Sequence, residues 1–206
     1  MRLLLATHNE HKRRELARLL IGHEVELLPA EVMLPPEDGE TFAENALGKA
    51  RAAALATGRV SIADDSGIEA AALGGTPGVR SARYAGETAS DEENLAKLLR
   101  EAPAGSGLAY VCALVYVDPR TPGEERVFEA RCTGRLAAQP RGAGGFGYDP
   151  AFLPDDGDWA PPTPDSPPTL TMAQLSDEQK DAISHRGRAA RALLAWLEDG
   201  ERSRSA

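Results

Sequence analysis

The 206 residues are 42% apolar and 27% charged, a globular balance that argues against disordered and collagen-like classes. No apolar run approaches the ~18–20 residues of a membrane span, and the run Leu3–Leu5 stops at Thr7, too short for a signal peptide. A net charge of −9 argues against a nucleic-acid-coating surface, which needs a basic stripe, yet leaves room for a small anion held by local cations.

Arg2–Ala6 reads as a buried strand, and 11–21 carries Leu16, Leu19 and Leu20 at helical spacing. Glu24–Leu28 is a second strand, followed by a loop to Gly39 with Pro35-Pro36 and Asp38-Gly39 as turn signals. Thr41–Thr57 is an alanine-rich helix closed by Gly58. Val60–Ala63 is a strand that runs into a turn at Asp64-Asp65-Ser66-Gly67; 68–73 is a further strand or short helix, and 74–78 a loop. Ser90–Arg100 is a helix, and Leu108–Val117 pairs with Arg126–Arg135. Arg141–Pro150 is glycine-rich, and the six prolines of Pro154–Pro168 mark an exposed loop. Ser176–Glu198 is a helix with a Ser176/Gln179 capping box and a bend or break at Gly187; the polar tail 199–206 frays. Interleaved strands and helices with a long strand pair give an α/β fold with a mixed sheet, in one domain over 1–198. Cys112 and Cys132 sit in apolar segments and read as buried thiols in a reducing compartment.

Rare residue types direct the search for chemistry. The chain has 19 Arg but 4 Lys and 3 Asn, and two of these pairs lie close together: Asn9 with Lys12, and Asn45 with Lys49. A lysine offers a compact point charge where arginine offers a wide fork. Thr7-His8-Asn9-Glu10-His11-Lys12 lies where a strand becomes a helix, whose first N–H groups favour anions; the plainer reading is a helix cap. Thr41 and Glu44 have capping-box spacing, while Asn45 and Lys49 share one helical face. Asp64 and Asp65 repel one another unless a cation or hydrogen-bond donors compensate, and oxygen ligands suit Mg²⁺ with substrate phosphates; the plainer reading is a turn. Gly144–Pro150 sets Phe146 and Tyr148 among glycines, either to stack on a base or to fill a tight hairpin. His185-Arg186, with Lys180 before them, is by itself an ordinary solvated helix face.

Together these segments resemble the dITP/XTP pyrophosphatase family, also called inosine triphosphate pyrophosphatases. The strings are A-T-H-N-E-H-K (6–12), T-F-A-E-N-A-L-G-K-A (41–50), A-D-D-S-G-I (63–68), G-G-T-P-G-V-R-S-A-R-Y-A-G (74–86), G-G-F-G-Y-D-P-A-F (144–152) and K-D-A-I-S-H-R-G (180–187), in the family's order. The resemblance implies an elongated mixed sheet with two helical lobes around a central cleft, and a cytoplasmic homodimer. It implies Mg²⁺-dependent hydrolysis of ITP, dITP or XTP to the monophosphate and pyrophosphate, with Mn²⁺ as a substitute metal. By motif position, Thr7, His8, Asn9, Glu10, His11 and Lys12 hold the triphosphate, with Lys49 a further phosphate contact. Glu44 and Asp65 bind metal, Asp65 being also the general base, and Ser66 touches substrate. Phe146, Gly147, Tyr148 and Asp149 form the base and sugar pocket, and Lys180, His185 and Arg186 read the base. The stretch 155–171 is longer and richer in proline than the family's usual connection. Two rivals remain: a Maf-like hydrolase of other modified nucleotides, and a nucleotide-binding module without turnover.

Overall fold

The computed structural model describes residues 1–121, 123–156 and 170–205; most of the proline-rich stretch, 157–169, lies outside the described residues. Six strands form one mixed sheet in the order β2-β1-β3-β4-β5-β6. They are β1 (Arg2–Leu5), β2 (Glu24–Leu27), β3 (Ser61–Ala70), β4 (Gly107–Val117), β5 (Glu125–Leu136) and β6 (Phe152–Pro154). β1 pairs in parallel with β2 and with β3, whereas β5 and β6 are antiparallel. β4 and β5 are joined at one end by Asp118 N–H donating to the Glu124 carbonyl (3.3 Å) and at the other by Leu136 N–H donating to that of Ser106 (3.0 Å). The helices are α1 (Glu10–Leu19), α2 (Phe42–Thr57), α3 (Asp91–Glu101), α4 (Asp177–Ile183) and α5 (His185–Ser205).

The chain divides into two compact units, residues 1–65, 112–130 and 186–206 in the first and 66–111 with 131–185 in the second. Each has its own apolar core. In the first, Leu3, Leu5, Leu16, Leu20, Ile62, Leu114 and Leu193 pack together with Tyr116. In the second, Ile68, Leu98, Leu136, Phe152 and Met172 do so. Both cysteines are reduced and buried, one per core. No described helix is long and apolar enough to cross a membrane.

Three local expectations are corrected. Asp64–Gly67 is not a turn: β3 runs straight through it to Ala70. Turn-prone residues are held extended by tertiary contacts, and a side chain at Gly67 would meet the carbonyl of Gly78 at 2.6 Å as well as the hydroxyl of Ser81. The C-terminal helix breaks at Ser184, which is extended (φ −64°, ψ 153°), and passes through Gly187 unbroken. The polar tail continues helix to Ser205, supported by Arg202 against Glu198 and Asp199, each at 3.5 Å and one turn away.

Candidate active site

In the first unit the site begins where β1 ends. β1 reaches β3 only at Leu4–Ser61 and Leu5–Ile62, so β3 continues past it and α1 starts beside the continuation. Thr7 Oγ1 accepts from Asn9 N–H (3.1 Å), and Asn9 caps α1 by accepting from Lys12 N–H (3.1 Å). The capping reading of this segment is therefore realised in the geometry. His8, Asn9, Glu10 and His11 are exposed, with Glu10 paired to Arg13 and Arg14. The cap delivers Lys12 Nζ to 3.3 Å from Asp64 Oδ2 and 4.0 Å from Asp65 Oδ1.

The adjacent aspartates live in different surroundings, because successive side chains on a strand leave it on opposite sides. Asp64 is fully buried; Oδ2 accepts from Arg186 Nε and Nη2, both at 3.2 Å. Arg186, itself 1% exposed, also pairs with the buried Glu15 through Nη1. Asp65 Oδ2 accepts from Asn45 Nδ2 (2.9 Å), and Oδ1 lies 3.8 Å from Lys49 Nζ. Lys49 reaches back to Glu37 Oε1 (2.5 Å) and the Asp64 carbonyl (2.7 Å). Burial alone would raise the Asp64 carboxyl, but Lys12, Arg186 and Lys49 outweigh it and hold that group well below the ordinary carboxylate range. For Asp65 burial prevails over Lys49 and Lys12, and its carboxyl is raised. Burial lowers Lys49, yet Asp65, Asp64 and Glu37 raise it by more. The unit thus holds one locked carboxylate beside one that binds a proton more readily, a division typical of acid–base sites.

Glu44 stands differently. It is exposed, and its Oε2 accepts from the N–H groups of Glu40 (2.8 Å) and Thr41 (3.1 Å), completing the capping box of α2. Glu44 precedes Asn45, the donor to Asp65, on the same helix turn. The carboxylates of Glu44 and Asp65 offer hard oxygens, which fit Mg²⁺. Among the described residues no group of three His, Cys, Asp or Glu side chains could hold a metal alone. The residues that would hold Mg²⁺ are Asp65 and Glu44, through their carboxylates.

In the second unit Ser66 is half-buried on β3. Asp149 is buried and accepts three hydrogen bonds: from Tyr110 Oη (3.0 Å) at Oδ1, and from Lys180 Nζ (2.6 Å) and Phe146 N–H (2.9 Å) at Oδ2. Lys180 Nζ lies 5.3 Å from the centre of the Phe146 ring. Gly145 has φ +68°, and a side chain there would collide with Asp149; only glycine permits the loop to fold back on that carboxylate. Gly147 N–H donates to Asp91 (2.8 Å). Tyr148 is buried and its hydroxyl donates to the Ser81 carbonyl (2.7 Å), so it braces the loop. His185 stacks on Tyr110, ring centres 4.6 Å apart and 8° from parallel.

The second unit therefore gathers Phe146, Asp149, Lys180 and His185, while Arg186 belongs to the charged cluster of the first with Lys12, Lys49 and Asp65. Four partners escaped the sequence reading. Glu15, Glu37 and Tyr110 sit in segments whose patterns speak only of helix, loop and core, and Asp64 was visible only as half of an acidic pair.

Residues 3–196 match the Ham1 family. A dITP/XTP pyrophosphatase of Mycolicibacterium paratuberculosis is 44% identical over 98% of both chains. One from Frankia alni is 46% identical, covering 97% of this chain and 98% of its own. A solved HAM1 protein from Coxiella burnetii superposes with a TM-score of 0.80 at 35% identity, over 97% of this chain and 99% of that one. The Ham1 protein of Staphylococcus aureus gives 0.79 at 37% identity, over 97% and 100%. With the family match spanning nearly the whole sequence, the chain belongs to the Ham1 family.

Proposed function

We propose that this nucleoside triphosphate pyrophosphatase hydrolyses non-standard purine nucleoside triphosphates (ITP, dITP, XTP) at the α-phosphorus, releasing the monophosphate and pyrophosphate in a Mg²⁺-dependent reaction. The observation that carries the reading is the buried Asp64–Asp65 pair set among Lys12, Lys49 and Arg186, in a chain whose relatives are dITP/XTP pyrophosphatases. Clearing deaminated purines from the nucleotide pool is the biological role this supports. The resemblance adds a cytoplasmic homodimer acting on free nucleotides, and the acidic net charge agrees with a substrate other than nucleic acid.

Water attacks the α-phosphorus, and the bond from that phosphorus to the bridging oxygen of the pyrophosphate breaks. Asp65 accepts the water proton, a task suited to a carboxyl raised by burial. Lys12 and Lys49 offset the charge of the phosphate oxygens. Asp64, tied to Arg186, anchors Lys12. Mg²⁺, when bound, supplies further positive charge to the phosphates. Lys180 and His185 present donors suited to a 6-oxo group, and Phe146 offers a stacking face. Adenine would set its 6-amino donor against those donors, leaving buried groups unpaired.

A panel of ITP, dITP, XTP, GTP, ATP, CTP and TTP, assayed with product identification, tests the reading. It predicts pyrophosphate as product and kcat/KM for ITP, dITP and XTP well above GTP, with ATP lowest among the purines. Equal kcat/KM for ITP and ATP would contradict the purine assignment. Preference for modified pyrimidines would favour a Maf-like hydrolase, and binding without turnover a regulatory module.

A further inference from the structure

We propose that Tyr110 is a positioning residue for base recognition, its hydroxyl orienting Asp149 and its ring orienting His185. The proposal rests on the functional reading above and assigns a role to a residue outside the motifs. Tyr110 lies on β4, 7% exposed, within the apolar core of the second unit. A phenylalanine would fill that space equally well. A buried phenol needs a polar partner, and here the partner is Asp149 Oδ1 at 3.0 Å.

The arrangement fixes two groups at once. Asp149 could turn about its last side-chain torsion, which is broad for a carboxylate. The Tyr110 hydroxyl at Oδ1 opposes that turn, so Oδ2 stays directed at Lys180 Nζ and Phe146 N–H, at 2.6 and 2.9 Å. An ammonium has three N–H donors; anchoring one of them on Asp149 sets the direction of the others. The same tyrosine ring lies 8° from parallel to the His185 imidazole, and Phe152, with its ring centre 4.6 Å away, backs Tyr110 from the core. One side chain thus touches an acid and an imidazole that are 36 residues apart in sequence. In the proposed reading His185 presents a donor to the base edge, and Asp149 orients Lys180, which presents another.

The test compares Tyr110→Phe and Tyr110→Leu with the unmodified enzyme by steady-state kinetics on ITP and ATP, with far-ultraviolet circular dichroism as the check on folding. Tyr110→Phe keeps the stack and loses the hydroxyl. We expect kcat/KM for ITP to fall about 5- to 20-fold, below the roughly 10- to 150-fold of one direct hydrogen bond to a charged group, because Tyr110 acts through Asp149 rather than on the base. The loss should appear in KM, with kcat within about twofold, and ATP should change little, so the ITP/ATP ratio narrows. Tyr110→Leu, if folded, should narrow it further by releasing His185. A merely structural tyrosine would instead lower kcat for both nucleotides alike, through the fraction of active enzyme. That pattern, or an unchanged KM and ratio in Tyr110→Phe of a selective enzyme, would overturn the role of Tyr110 alone. An unmodified enzyme that does not prefer ITP would overturn the functional reading, and this role with it.

Discussion

Asp64 and Asp65 are neighbours in sequence, yet their environments assign them different tasks. Asp64 is fully buried and compensates Arg186 and Lys12, whereas Asp65 has an amide and two lysines beside it and a raised carboxyl. Asp64→Asn would leave buried cations short of a counter-charge, and removing one member of a buried pair costs about 3–5 kcal/mol. Urea denaturation should therefore show Asp64→Asn as the less stable of the two variants. Asp65→Asn should fold normally and lose about 10²–10⁴ in kcat, the range of a general base, with loss of metal adding to it. An Asp65→Asn enzyme with near-normal turnover would remove Asp65 from the chemistry. Lys12→Ala should raise KM for the triphosphate, since it deletes a charge partner of the phosphates; unchanged kinetics would return Lys12 to a purely structural part.

Among the elements, periodic ones were readable and cooperative ones were not. α2 was marked by Thr41, Glu44 and Gly58, and its boundaries, Phe42–Thr57, follow those caps. Asn45 and Lys49 were visible as one polar face, and both are buried against Asp65. The string Asp64–Gly67 misled because local turn chemistry was read without its tertiary partners. Ser81 Oγ accepts from Ile68 N–H (2.8 Å) and donates to the Gly78 carbonyl (2.6 Å), so the loop before Tyr84 is strapped to β3. No local pattern announces that contact, nor Glu37 reaching Lys49 from an aperiodic loop. Gly67→Ala would push a methyl into that strap, where backbone must shift. Overpacking of this kind costs about 1–3 kcal/mol, and thermal unfolding should show a lowered Tm; a Tm equal to that of the unmodified protein would mean that the strap is loose.

Over the whole molecule, two apolar cores supply the stability that the composition led one to expect, and the thiols report on them. Cys112 is fully buried, and burial first, then the Asp64 charge, pushes its thiol up to about 12 from 9.0. Between those values the unfolded chain releases the proton and the folded chain keeps it. The unfolded state then binds fewer protons, so stability falls as pH rises above about 9. Cys112→Ala should flatten that alkaline limb in denaturation curves measured at several pH values; an unchanged limb would place the cause elsewhere. The proposed reaction depends on Mg²⁺. Chelation with excess EDTA should abolish turnover and leave the fold unchanged, and Mg²⁺ should restore activity; full turnover in EDTA would contradict the role proposed for the metal. The central claim is attack of water, activated by Asp65, on the α-phosphorus. Hydrolysis of ITP in ¹⁸O-labelled water, followed by mass spectrometry of both products, tests it most directly. The account predicts the label in the monophosphate and none in the pyrophosphate. Label in pyrophosphate, or release of inosine diphosphate and inorganic phosphate, would contradict it.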